Sequence, residues 1–269
     1  MWATFMIESP SASSMSRATD PIWLCATPGD QRASQLARQL KLKAIVQNTE
    51  LVIFGTSGVS IDVRATSTAL ESAGYVKYFE NAYMSGNLVE PARLELVQGY
   101  FDVVSSIYGD LTRSGLNAAC YEHLLNEAKR MTQVIESCLD FGCGPGTILE
   151  SKVPAEVPVV AGWDFSPRMR SLARSHGLPV LREVDFLQGS RLFDVVLAAF
   201  VFHYGTVSAS QLGHICQRLR IGGIFVANFH KDLGLDHFMS TLSRVPGLQV
   251  NLPNRSSAFG TVVVVSRVR

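Results

Sequence analysis

Val134-Ile-Glu-Ser-Cys-Leu-Asp-Phe-Gly-Cys-Gly-Pro-Gly-Thr147 decides how the chain is read. An apolar run ends on Asp140 and breaks into the turn Gly142-Cys143-Gly144-Pro145-Gly146, the pattern of a buried strand that stops at a glycine turn. Glycines let the backbone take positive φ and let a ligand come close to the main chain. A turn of this kind after the first strand of an α/β unit is where such folds hold a nucleotide-like cofactor. A dinucleotide fingerprint runs G-x-G-x-x-G and sets a pyrophosphate on a helix N-terminus. Here the last glycine comes one position early, giving G-x-G-x-G at Gly142, Gly144 and Gly146. Asp140, just ahead of the turn, would repel a pyrophosphate and attract an ammonium group. The turn therefore suits a cofactor with an amino-acid end and no phosphate, and it disfavours a nicotinamide-binding oxidoreductase.

Leu139-Asp140-Phe141-Gly142-Cys143-Gly144-Pro145-Gly146 resembles the first motif of the class I S-adenosylmethionine (SAM) dependent methyltransferases, of the small-molecule type. The resemblance covers about residues 100–269. It implies SAM as cofactor, S-adenosylhomocysteine (SAH) as product and no metal. The periodicity that follows agrees with an α/β chain. Strand candidates after the first are 158–163, 180–184, 193–199, 223–228, 248–252 and 261–265. Helical patterns separate the first five, as a parallel sheet with crossovers requires. Ser166 is a natural N-cap, Pro167 fits the first helical position, and Gly177 can end that helix. The last two strands have no room for a crossover and should pair antiparallel. The expected fold is thus a Rossmann-like α/β sheet of seven strands with a final antiparallel hairpin.

Candidate site residues follow from both lines of reading. Asp164 lies 22 positions past Gly142, where doubly wound folds place the acid that bonds ribose hydroxyls. A carboxylate fits a diol because its two oxygens can each accept. The competing reading is a helix-start acid facing the macrodipole. The resemblance puts Phe165 and Met169 near the adenine. It gives Asp185 the adenine amino group and the Phe186 N–H a ring nitrogen, against the alternative of a surface-turn acid. It brings Ala199 and Phe200 past the methionine part of the cofactor, with His203 and Tyr204 beyond, on the substrate side. A packed core histidine is the rival for His203. His230 also stands at the carboxyl end of a strand, where sites of this fold class collect. A base is needed only for a hydroxyl or a protonated amine, and histidine suits that task near neutral pH. His203 is the expected base or acceptor-positioning group, with Tyr108 and His230 as further catalytic candidates.

Ahead of the core the chain reads less sharply. Residues 8–21 hold five serines and two prolines, so 1–21 reads as a flexible leader. Residues 22–72 read as a small α/β appendage: a short apolar run at 22–26, a helix carrying Leu36, Ala37 and Leu40, and a hairpin of 51–54 with 59–63 around Gly55-Thr-Ser-Gly58. The order is faintly similar to the N-terminal part of a family of small-subunit ribosomal RNA guanine methyltransferases. Residues 73–115 are rich in aromatics and read as a helical lid, with a helix from Pro91 through Leu94, Val97, Phe101, Val104 and Tyr108. Tyr100 to Tyr108 resembles the segment that closes over the cofactor in small-molecule methyltransferases, which places Tyr108 at the site. Residues 116–269 form the expected SAM-binding core, opened by a helix over 117–131 with Tyr121, Leu124, Leu125, Ala128 and Met131 on one side.

Composition narrows the partners. At net charge +1 there is no basic field for nucleic acid. Five cysteines, at 25, 120, 138, 143 and 216, lack metal-ligand spacing and fit a reducing cytoplasm as small buried hydrophobes. Met1 to Asp20 lacks the basic and apolar regions of a signal peptide, and no stretch reaches the length that spans a bilayer. No Asn/Asp-Pro-Pro-aromatic string of the nucleic-acid amino methyltransferases is present, and no acidic cluster suggests a metal-dependent catechol enzyme. The expectation is a cytoplasmic enzyme, monomer or homodimer, that methylates an oxygen, nitrogen or carbon of a small biosynthetic acceptor. The alternatives are an RNA methyltransferase using the appendage, and a SAM-binding protein that regulates or templates without methylating.

Overall fold

A computed structural model of the chain describes residues 22–47, 52–55, 62–77, 82–86, 90–105, 108, 114–132, 134–203, 208–251 and 257–268. Two compact units divide it, one ending at Val104 and one running from Ser105 to Arg269. The proposed leader, residues 1–21, lies outside the described residues.

The N-terminal unit runs β1 (Trp23–Ala26), α1 (Gln31–Gln39), β2 (Lys43–Gln47), β3 (Val52–Gly55), α2 (Val63–Ser72), β4 (Tyr75–Lys77), β5 (Ala82–Ser85) and α3 (Glu90–Val104). Its five strands are ordered β2-β3-β1-β5-β4. Only β1 and β5 pair parallel. Two helices open on aspartate N-caps: Asp30 accepts from the Ala33 N–H and Asp62 from the Ala65 N–H, both at 2.9 Å. Asp62 and Val63, the end of the expected hairpin, open a helix instead, and β3 pairs with β1 and β2. Residues 56–61 of that hairpin lie outside the described residues.

The reading of 73–115 as one helical lid is corrected too. Tyr75–Lys77 and Ala82–Ser85 complete this sheet, and α3 belongs with it, since the Trp23 and Tyr100 rings lie 5.5 Å apart. The unit boundary therefore falls at Val104 rather than at residue 72, and α3 stops short of Tyr108.

The C-terminal unit runs α4 (Ser114–Lys129), β6 (Ser137–Phe141), α5 (Val153–Glu156), β7 (Val159–Trp163), α6 (Pro167–Ser175), α7 (Glu183–Gln188), β8 (Phe193–Ala198), α8 (Ala209–Arg218), β9 (Leu219–Phe229), α9 (Leu235–Leu242), β10 (Leu248–Asn251) and β11 (Thr261–Arg267). The sheet order is β10-β11-β9-β8-β6-β7. The central pairs are parallel, and β11 is antiparallel to both β9 and β10. The final antiparallel hairpin is as expected. The seventh strand is not: residues 180–184 contribute a single parallel bridge, Val180 to Gly162. Arg182 then N-caps α7, and the helix uses the residues that a strand would need.

The two faces of this sheet differ. One carries Cys138, Val195, Leu197, Ala199, Ile224 and Val226, packed against Tyr121, Leu124, Leu125 and Ala128 of α4. Met131, expected on that side of α4, lies past its end and is exposed. The other face is aromatic. Trp163 stacks on Phe186 at 4.1 Å and on Phe141 at 5.2 Å, and Phe202 stacks on Phe141 at 5.7 Å. Alternation along each strand generates this division. It also places Asp140 and Asn228 on the aliphatic, α4-facing side, each near the carboxyl end of its strand. At the opposite end, Asp194 accepts from Ser137 N, Ser137 Oγ and Glu136 N at 2.7–3.1 Å, which fixes β8 against β6.

Candidate active site

The glycine turn leaves β6 where β7 ends. Gly142, Gly144 and Gly146 have φ of 75°, 52° and 94°. Gly142 N and Cys143 N both donate to Trp163 O, at 2.7 and 3.1 Å, so the turn is fastened to the end of β7. A Cβ on Gly146 would meet Ala173 Cα of α6 at 3.4 Å, so this position combines a left-handed backbone with close helix approach. Gly146→Ala is expected to lower the stability of the protein by about 1–2 kcal/mol, read by thermal or denaturant unfolding.

Two carboxylates flank the turn, and both are fully buried. Asp164 Oδ2 accepts from Gly144 N at 3.0 Å, and Oδ1 accepts from Ser166 N at 2.8 Å. Ser166 caps α6 by accepting from Met169 N at 3.1 Å, as the sequence suggests. Arg170 of α6, which sequence reading passed over, donates to Asp164 O at 2.6 Å and to Phe165 O at 3.3 Å. It fixes the backbone that carries the acid. Asp140 Oδ1 accepts from the Tyr121 hydroxyl at 3.0 Å, while Oδ2 has no hydrogen-bond partner among the described residues. Burial pushes the Asp140 carboxyl up to about 7, with Tyr121 opposing and Asp164 adding to the rise. Burial also raises Asp164, against the pull of the Ser166 and Gly144 amides. Tyr108 is buried beside them, its hydroxyl 3.5 Å from where a Gly144 Cβ would stand. Burial and the two acids raise its phenol well above the ordinary value.

Residues 139–227, from β6 to β9, match the family model of a methyltransferase domain. This stretch spans the turn, both acids and the end of β8. This part of the C-terminal unit is similar to a methyltransferase domain.

Among curated proteins nothing matches the chain. Among solved structures it is similar to DesVI of Streptomyces venezuelae, at 15% identity and TM-score 0.46, over 56% of this chain and 91% of that one. It is similar to the SAM-bound amino pentose methyltransferase CalS10 of Micromonospora echinaspora, at 13% identity and TM-score 0.46, over 56% and 91%. The sugar N-methyltransferase KedS8 of a Streptoalloteichus species shares 22% identity at TM-score 0.37, over 51% of this chain and 56% of that one. These likenesses are too distant to speak for a substrate.

Within the matched stretch, Phe165 is half-buried and Met169 fully buried, directly after Asp164. Asp185 is placed differently from the expectation. It sits in the first turn of α7 in a two-point ion pair with Arg182, at 2.6 and 2.8 Å. That pair holds its carboxyl below the usual range. The Phe186 N–H donates to Arg182 O at 2.9 Å within the helix, so it is not free for an adenine nitrogen. The helix that replaces the seventh strand explains both differences.

At the end of β8, Ala199 and Phe200 are fully buried. Phe200 has φ 57°, a conformation that costs a bulky residue roughly 1–2 kcal/mol. Such strain persists only where neighbours over-determine it. Here Asn228 Oδ1 accepts from Phe200 N at 2.6 Å, a residue sequence reading missed. Its signal was a polar side chain closing the alternation Ile224, Val226, Asn228.

His203 differs from the expected base. Its Nε2 accepts from His230 N at 3.0 Å, which puts the proton on Nδ1 and occupies the ring's lone pair. Burial drives its pKa down to about 4, although a hydrogen bond with the Phe200 backbone favours the charged form. His203 is therefore neutral at physiological pH and ties the end of β8 to the end of β9. Tyr204 lies outside the described residues. His230 is only half-buried, and burial lowers its pKa, with Lys231 adding to the effect. Its chain turns sharply there, with Lys231 and Asp232 at φ 53° and 57°.

All five cysteines are free and buried. No group of His, Cys, Asp or Glu suited to a metal ion occurs among the described residues. No helix among them is long and apolar enough to cross a membrane.

Proposed function

We propose that the protein moves the methyl group of SAM to an oxygen, nitrogen or carbon of a small biosynthetic acceptor. The observation that carries this reading is the buried Asp140 Oδ2, an acceptor with no hydrogen-bond partner among the described residues, beside a glycine turn. A buried acid in that state asks for a cationic or donor ligand, and the amino-acid end of SAM offers an ammonium. Asp164 has lone pairs left after its two amide bonds, enough to accept from a ribose diol. Phe165 and Met169 supply apolar surface for the base. SAM supplies an activated methyl on a sulfonium.

The remaining work is alignment of the acceptor, which can account for most of the rate. His230 fits the base role better than His203, because its ring is not committed to a backbone amide in the way His203 Nε2 is. Its lowered pKa keeps it neutral and able to take a proton at pH 7. His230→Ala is expected to lower kcat by about 10²–10⁴-fold with SAH affinity retained. The acid limb of the wild-type pH–rate profile should fall below the ordinary histidine value of about 6.5. An unchanged kcat would remove His230 from the chemistry.

Near-neutral charge supports a small acceptor over RNA. The deciding experiment has two arms. Calorimetric titration should show binding of SAM and SAH and none of NADH. Methyl-labelled SAM offered with a panel of small amines and hydroxyl compounds, and separately with ribosomal RNA, should label the small molecules. Label in the RNA fraction alone would assign the N-terminal unit to RNA instead.

A further inference from the structure

We infer that Asn228 is a positioning residue: its side chain holds the loop after β8 in the strained form that the cofactor site uses, and ties that loop to the turn at 257–260. This rests on reading the end of β8 as part of that site. Asn228 lies on the largely aliphatic face that also carries Asp140, following Ile224 and Val226 and lying across from Leu197 and Ala199. A side-chain amide is costly there unless both of its groups are used. Both are used, and both by main chain. Oδ1 accepts from Phe200 N at 2.6 Å, and Nδ2 donates to Phe259 O at 3.0 Å. Because one partner is an N–H and the other a carbonyl, the orientation of the amide is fixed by its neighbours.

Phe200 is the one non-glycine residue of the β8 end with positive φ among the described residues. Without the Asn228 oxygen, its N–H would be buried and unsatisfied as well as left-handed, and the loop would relax toward φ < 0. The neighbouring ties run in the same direction. His203 Nε2 accepts from His230 N at 3.0 Å, and Asp232 Oδ1 accepts from Thr261 Oγ1 at 2.6 Å. Three side-chain bridges thus join the carboxyl ends of β8 and β9 and the start of β11; His203 also bonds the Phe200 backbone, and Asn228, fully buried, is the acceptor for the N–H of that strained residue.

The test is a double-mutant cycle read by SAH calorimetry, using wild type, Asn228→Ala, Phe200→Gly and the pair. Asn228→Ala is expected to weaken SAH at least tenfold at a temperature where circular dichroism shows the variant folded. Glycine takes positive φ unaided, so in the Phe200→Gly background the same change should cost less than about threefold. A purely structural role would give equal losses in both backgrounds, and that result, or unaltered SAH binding by Asn228→Ala, overturns the inference. Should the alanine variant not fold, hydrogen exchange on the wild type decides. The Phe200 amide should be as protected as that of Leu197 in β8, and exchange at the rate of an exposed loop amide overturns the tether. A wild-type protein that binds no SAH would instead sink the cofactor reading on which this inference rests.

Discussion

Asp164→Ala is expected to weaken SAH binding by about a hundredfold or more. The acid is fully buried, and its oxygens already accept from Gly144 N and Ser166 N, at 3.0 and 2.8 Å. A carboxylate offers about four lone-pair positions, so two remain for the ribose hydroxyls. Hydrogen bonds to a charged group contribute roughly 1.5–3 kcal/mol each, and losing two at the lower figure is already about two decades in affinity. The substitution also releases Gly144 from β7 and loosens the turn, so the loss should exceed that sum. Stability falls too, because two buried amides lose their acceptor. The melting temperature must therefore be measured beside the calorimetry, at a temperature where the variant is folded. Asp164→Asn keeps one acceptor and should fall between. Wild-type affinity in a folded Asp164→Ala protein would mean that the acid serves only the turn and the start of α6, the reading in which it acts as a helix-start carboxylate.

The parts of this molecule that were legible in the sequence are those where one residue type has few alternatives. The turn at 142–146 could be read because three glycines at that spacing demand positive φ, and all three have it. Ser166 and Pro167 mark a helix start by local chemistry alone, and α6 begins there. The antiparallel end of the sheet followed from loop length. What failed was decided by local caps and pairs that outweigh strand composition. Val59-Ser-Ile-Asp-Val63 has strand composition, but Asp62 is an N-cap and Val63 opens a helix. Leu181 to Val184 has strand-like residues too, yet a two-point Arg182–Asp185 pair sits at the start of a helix there. Histidine roles were illegible for a different reason. His203 and His230 both stand at carboxyl ends of strands, and only the direction of one hydrogen bond, from His230 N to His203 Nε2, separates a committed ring from an available one.

Asp140→Asn is expected to separate stability from binding in opposite directions. The carboxyl titrates near 7 in the folded protein, raised by burial, against about 3.9 in an unfolded chain. A group raised on folding favours the folded state most below its unfolded value, and that contribution is lost as pH rises toward the folded value. The ligand-free protein should therefore lose stability between about pH 4 and pH 7, and asparagine, which never ionises, should spare it that loss. Ligand-free Asp140→Asn should melt higher than wild type at pH 8, with about a third of that advantage left at pH 5. Binding runs the other way. An ammonium beside Oδ2 favours the ionised acid, so wild-type SAH affinity should climb as pH rises toward 7 and then level off. Well below 7 the climb should approach tenfold per pH unit, because each unit then costs one decade of ionised acid. The variant should bind weakly at every pH, by a factor of about 10–100 at pH 8, the loss of one charge-assisted bond. Melting curves of ligand-free protein and SAH titrations across pH 5–8 check both halves. A wild-type affinity that stays flat across that range would leave Asp140 as a buried acid that only accepts from Tyr121 among the described residues. With the predicted slope present, the instability of the ligand-free site is what the cofactor's ammonium offsets. The same burial that makes Asp140 costly then makes it selective for a cationic ligand over an anionic one.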